Sequence, residues 1–135
     1  MPFMAWDDSY SVKVQRCDRE HQKLFQIINA LQDAMGAGKG RDFIKRIVQE
    51  LNSYSKYHFT TEEMLLALAN YPLLSAHRTE HQAFIDAVTK FEKSLADGNS
   101  LISVEVMDFL RNWLSSHILK TDRQYSDHLN RSGIK

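Results

Sequence analysis

Six histidines occur in the 135 residues, and five of them interrupt apolar stripes instead of decorating a polar face. His58 and Glu62 are four residues apart, and so are His77 and His81. On a helix that spacing sends both members of a pair out of one face. His21 and His117 lie on the apolar stripes of two further segments. Burying this many imidazoles and a carboxylate without partners would cost a few kcal/mol per group, on the order given by transfer energies. A metal removes that cost, because neutral imidazole and ionised carboxylate are its ordinary ligands. A lone histidine on such a stripe reads most simply as a hydrogen-bonded core residue; four stripes interrupted at matching depths do not. Five imidazoles with carboxylates overfill one coordination sphere, whereas two ions bridged by carboxylates would use the whole set.

The elements that must position these groups follow from hydrophobic period. Cys17, His21, Leu24, Ile28, Leu31 and Met35 recur at steps of three and four. So do Ile44, Ile47, Leu51, Tyr54, His58, Glu62 and Leu65, then His77, His81, Phe84, Val88, Phe91 and Leu95, then Met107, Leu110, Leu114, His117 and Thr121. This is the period of a helix facing a core, with no sustained period-two alternation. Breaks fall at the glycine-rich Gly36 to Gly40, at Asn70-Tyr71-Pro72, and at Asp97 to Ser100, where Ser100 is a good N-cap. The expectation is a single all-α domain over 1–135: an arm over about 1–17 and helices over about 18–36, 41–69, 73–96 and 101–130. Short connections favour an antiparallel up-down-up-down four-helix bundle. The arm carries Phe3, Trp6 and Tyr10 and is expected to pack across the bundle. In that arrangement His21, His58, His77, His81 and His117 all point to one end.

Composition narrows the function classes. Basic and acidic residues number 17 each, so bulk charge predicts neither nucleic-acid nor membrane-surface binding. No apolar run reaches the roughly 20 residues that span a bilayer, so no membrane insertion is expected. The first ten residues lack the basic start and apolar stretch of a signal peptide, so a cytoplasmic location is the expectation. Cys17 is the single cysteine, which rules out an intrachain disulfide and a thiolate cluster. Its simplest reading is a small buried hydrophobe, with a thiol near the centre as the alternative. Glu20 reads as a surface residue more readily than as a neighbour tuning His21, and Glu63 as a solvated residue or one backing a ligand. His128 reads as exposed, and Trp113 and Tyr125 as aromatics near the site or simple packing.

Asp122 is the least certain candidate by spacing. Five residues from His117 is about 140° around a straight α-helix. Spacing alone therefore leaves it open between a ligand and a solvent-exposed aspartate, and a ligand role requires a kink or wide turn near Thr121.

The chain resembles the hemerythrins, in particular the single-domain bacterial hemerythrins, over nearly its whole length. The motifs are Asp18-Arg19-Glu20-His21, His58-Phe59-Thr60-Thr61-Glu62-Glu63, His77-Arg78-Thr79-Glu80-His81, and Trp113 to Ile118 followed by Asp122. The up-down-up-down bundle used above as a template itself includes a member of that family. The resemblance implies two iron ions, oxo- or hydroxo-bridged, with His77, His81 and His117 on one and His21 and His58 on the other. Glu62 and Asp122 would bridge them, the family's own five-residue spacing rescuing Asp122. Dioxygen would meet the two-histidine iron, with Leu24, Phe59, Leu114 and Ile118 walling the pocket and Leu114 controlling access. The function implied is reversible dioxygen binding for storage, delivery or sensing, not catalysis. An alternative is a di-iron oxidase, peroxidase or nitric-oxide-handling enzyme on the same scaffold. Partners beyond dioxygen would be an oxygen-consuming enzyme or a signalling protein.

Overall fold

A computed structural model describes residues 2–98 and 104–135. Four helices form the bundle: α1 (Gln15–Gly36), α2 (Arg41–Leu68), α3 (Leu74–Ala96) and α4 (Val104–Ser116). The chain continues from α4 as a π-helical turn (His117–Asp122), a 3-10 turn (Arg123–Tyr125) and α5 (Ser126–Arg131). The fourth segment is thus interrupted, and the wide turn that a ligand role for Asp122 requires near Thr121 is present. The expected N-cap at Ser100 and the start of that segment at 101 lie outside the described residues. No strand occurs among the described residues.

Each helix buries the stripe that its sequence marks out. Ile28, Leu31, Ile44, Val48, Leu51, Val88, Leu95, Met107 and Leu110 fill the half of the bundle away from the histidines, each almost fully buried. Phe84 and Trp113 pack with their rings tilted at 33° and 4.6 Å between centres, and Phe91 meets Phe109 edge-on at 6.2 Å, joining α3 to α4. Short turns make neighbouring helices antiparallel. At the α1–α2 turn, Gly38 takes φ +68°, a left-handed conformation cheap only for glycine, while Lys39 N–H donates to Ala34 O. Asn70 plays the same part at φ +55° before Pro72. Each antiparallel return brings the start of one helix level with the end of its predecessor, and so stacks the four histidine-bearing stretches at one level.

The arm packs as expected. Met4, Val12 and Val14 are buried, and Trp6, Tyr10 and Phe25 form an aromatic cluster with centres 5.0–5.5 Å apart. Met4 exchanges two hydrogen bonds with the Asn29 side chain, N–H to Oδ1 at 2.7 Å and Nδ2 to O at 2.8 Å. Tyr10 Oη lies 3.0 Å from Ser115 Oγ on α4. The arm is folded back onto α1 by Asp18, whose carboxylate accepts from Val12 N–H at 2.8 Å and Ser11 Oγ–H at 2.7 Å. His128, far from exposed, is half-buried and its Nε2 stands 2.6 Å from Ala69 O, which ties α5 to the α2–α3 turn.

Hydrogen bonds to a charged acceptor contribute about 1.5–3 kcal/mol each, and part of that is recovered by water when the site is half-open. Asp18→Ala is therefore expected to cost about 2 kcal/mol and lower the melting temperature by several degrees. Asp18→Asn should retain part of the loss, and thermal unfolding followed by circular dichroism reads both.

Candidate metal centre

The helix pairs place their side chains as the four-residue spacing requires. His21 comes from early α1, His58 and Glu62 from late α2, His77 and His81 from early α3, and His117 and Asp122 from the two ends of the π turn. Widening the turn by one residue returns the fifth residue after His117 to nearly the same face, which an α-helix would not do. All seven side chains converge, and none is more than 3% exposed.

Their donor atoms fall into two groups that share the carboxylates. On one side His77 Nε2 is 2.8 Å from Glu62 Oε1 and 2.9 Å from Asp122 Oδ1. His81 Nε2 is 3.0 Å from Glu62 Oε1, and His117 Nε2 is 2.9 Å from Asp122 Oδ1. On the other side His21 Nε2 is 3.1 Å from Asp122 Oδ2 and 3.4 Å from Glu62 Oε2, with His58 Nε2 3.3 Å from Glu62 Oε2. Glu62 hands Oε1 to the three-histidine group and Oε2 to both His21 and His58, while Asp122 hands Oδ1 to the three-histidine group and Oδ2 to His21.

This donor set fits two metal ions, by three observations. His21 Nε2, His58 Nε2 and both Asp122 oxygens are buried without a properly aligned hydrogen bond despite those short separations, so the atoms do not face one another but a common space. His81 Nε2 and His117 Nε2 stand 3.1 Å apart. Their other nitrogens already hold protons, so two lone pairs would meet there unless a proton or a metal ion lies between. Finally, ligands about 2.1 Å from one ion and at right angles stand about 3 Å apart, which is the spacing seen.

A second layer fixes the rings. His58 Nδ1 donates to Glu20 Oε1 at 2.7 Å, His81 Nδ1 to Glu63 Oε2 at 2.8 Å, and His117 Nδ1 to Glu80 Oε1 at 2.9 Å. Ionised carboxylates only accept, so each Nδ1 carries a proton and each Nε2 turns inward. Glu20 is therefore not a surface residue; it is 6% exposed and backs His58 instead of His21. Its place at the third position of Asp18-Arg19-Glu20-His21 gives no sign of this, because the partner lies on another helix. Tyr125 is fully buried and donates its hydroxyl to Glu62 Oε2 at 2.8 Å. Phe59 stacks on His81 with centres 3.9 Å apart, and Trp113 on His117 at 4.5 Å, both backing the three-histidine group. Leu24, Leu114 and Ile118 are sealed to 1% exposure or less.

Charge balance explains the ionisation states. Burial works against the charged form of His21, yet Asp122 and Glu62 outweigh it and push the ring up to about 9; His77 rises to about 10 in the same way. His58 and His117 also move upward. Burial raises Glu62 and Asp122, but the surrounding imidazoles hold both well below the usual carboxylate range. Burial, with Glu62 and Asp122 nearby, keeps Cys17 and Tyr125 protonated, so Cys17 is a neutral thiol beside the centre.

Comparison with known proteins agrees with this geometry. The hemerythrin HHE cation-binding domain model matches residues 12–129. The chain belongs to the hemerythrin family. Bacteriohemerythrin of Clostridium acetobutylicum is 35% identical over 91% of this chain and 98% of its own. Bacteriohemerythrin of Pseudomonas aeruginosa is 31% identical over 98% of this chain and 85% of its own. Myohemerythrin of Theromyzon tessulatum is 26% identical over 92% of each. A solved wild-type hemerythrin, 27% identical, superposes with a TM-score of 0.88 over 94% of this chain and 98% of that one. Among the described residues no helix is long and apolar enough to cross a membrane.

In the metal-free hemerythrin fold the shifts fix the sign of the pH dependence. The raised histidines give stability that is full below their ordinary value of about 6.5 and lost as pH climbs through their raised values. The depressed carboxylates give stability that is full above their ordinary values and lost as pH falls through the lowered ones. Chelator-treated protein is thus expected to melt highest between about pH 5 and 7 and progressively lower toward pH 10. Added divalent metal needs neutral imidazoles and must displace the protons on His21 and His77, so its stabilisation should instead keep growing from about pH 6 toward the raised values of about 9 and 10. Thermal melts across pH, with and without metal, read both trends.

Proposed function

We propose that this hemerythrin binds dioxygen reversibly at a pair of non-haem iron ions, for oxygen storage, delivery or sensing. The observation that carries the reading is the division of Glu62 and Asp122, one oxygen of each on the three-histidine side and one on the two-histidine side. His77, His81 and His117 would hold one iron and His21 and His58 the other, with both carboxylates spanning the pair. Held by these residues, a ferrous pair would supply the two electrons that reversible dioxygen binding requires.

The residues of the chain do the rest. Glu20, Glu63 and Glu80 hold the Nδ1 protons, so the inward nitrogens stay available. The two-histidine side has one fewer donor, which leaves room there for a small ligand. Leu24, Leu114 and Ile118, with Phe59 against His81, exclude water and so slow the proton delivery that would turn binding into loss of reduced oxygen. Tyr125 keeps its proton on Glu62 and restrains that bridge. The set is rich in neutral imidazole and has two bridging carboxylates, where oxygen-activating ferritin-like centres use four carboxylates. Fewer anions stabilise oxidised iron less, which favours release over O–O cleavage.

Iron-loaded protein, reduced without air, is expected to hold two irons per chain and to change its visible spectrum on adding dioxygen, reverting when the gas is removed, over many cycles. One-way conversion with peroxide release, or turnover of a reductant, would replace this reading with an oxidase or peroxidase. One ion per chain, or zinc alone, would remove it. Leu114→Ala opens the wall one turn before His117 and is expected to cut the number of reversible cycles about tenfold while iron content stays at two. The same spectral titration reads that change, with the tenfold figure taken from the effect of outer residues on metal sites.

A further inference from the structure

Asp122 reaches the centre only because residues 117–122 adopt a π turn, and a π turn is a costly, rarely populated backbone form that needs an outside restraint. Its six residues leave Thr121 half-buried beside Asp122. The side chain touching both ends of the turn is Glu80, from α3. One oxygen accepts from His117 Nδ1 at 2.9 Å, and Thr121 Oγ1 donates to the same carboxylate, at 2.9 Å to Oε1 and 3.0 Å to Oε2. His117 opens the turn and Thr121 precedes Asp122, so the carboxylate spans the five residues 117–121. Glu63 and Glu20 make analogous contacts with His81 and His58, but His81 and His58 sit within regular α-helix. Of these three glutamates, Glu80 alone ties both a ring and a side chain at the far end of the π turn.

We propose that Glu80 is a positioning residue for two donors at once, orienting His117 through its ring and Asp122 through Thr121 and the π turn. The hold on the turn is a property of the fold; its consequence for metal rests on the ligand set proposed above. Losing it lets the segment relax toward α-helix, which swings Asp122 off the face of His117. The three-histidine ion then loses a bridge and a correctly aimed ring together, and the pair is no longer spanned on both sides.

Two variants separate the parts. Glu80→Ala removes both contacts, while Thr121→Val removes the backbone tie and leaves the His117 contact. Glu80→Gln keeps an accepting oxygen and should behave much like the parent. In metal-free protein, hydrogen exchange at residues 117–122 is expected to speed up about tenfold in Glu80→Ala and in Thr121→Val, with α1 and α2 unchanged. In metal-loaded protein, chelator-driven metal loss is expected to speed up 10- to 100-fold, on the scale of other outer-layer changes. Exchange at 117–122 matching the parent in both variants, or rising equally throughout the bundle, overturns the proposal. Faster local exchange with unchanged metal loss overturns the link to Asp122. A parent protein that binds no metal pair would instead count against the ligand set, and the exchange measurement would still decide the role of Glu80 in the turn.

Discussion

Two carboxylates, Glu62 and Asp122, lie at zero exposure inside a bundle of apolar stripes. Taking an ion out of water costs several kcal/mol even after relaxation, so this pair dictates what surrounds it. Five imidazoles face the two anions, and the short nitrogen–oxygen separations lack hydrogen-bond alignment at His21, His58 and Asp122. A cluster evolved only to neutralise itself would turn N–H toward O. Here His77 Nε2 pairs with Glu62 Oε1 at 2.8 Å, but His21 Nε2, His58 Nε2 and both Asp122 oxygens turn toward shared space, as ligands around cations do. The upward shift of His21 and His77 is the metal-free counterpart: protons stand where metal charge would otherwise sit.

The rest of the structure serves that balance. The apolar half of the bundle supplies the stability that a polar half does not. Outer carboxylates keep three imidazoles in one tautomer, and Tyr125 and Cys17 remain protonated beside Glu62 because burial and the neighbouring anions disfavour their charged forms. A straight α4 would leave Asp122 outside. The π turn is therefore a local departure from the lowest-energy backbone, placed where it turns Asp122 into the cluster of imidazoles.

Much of this was legible in the sequence because it depends on period. His58 with Glu62 and His77 with His81 announce one face at a four-residue step, and the stripes of Leu and Ile around them announce a helix. The stops at Gly36–Gly40 and Asn70–Pro72 coincide with turns that use left-handed residues. Period also failed where the fold departs from it. Asp122 was undecided by spacing, and only the family resemblance pointed inward, with a distorted helix as the condition. Glu20 and Glu80 carry no periodic sign, since what makes them matter is a histidine on a different helix, brought near by packing. The exposure expected of His128 fails for the same reason: its partner is the carbonyl of Ala69, a backbone atom that no side-chain pattern records. Cys17 combines both readings, a buried small group that also lies beside Glu62.

The central claim is that Glu62 and Asp122 each span two ions. Crystals of the iron-loaded protein, with anomalous differences measured on both sides of the iron absorption edge, test it directly. Two iron peaks about 3.5 Å apart are predicted, one beside His77, His81 and His117 and one beside His21 and His58, with a carboxylate oxygen of Glu62 and of Asp122 on each. A single peak, or two peaks of which either carboxylate touches only one, would contradict the account.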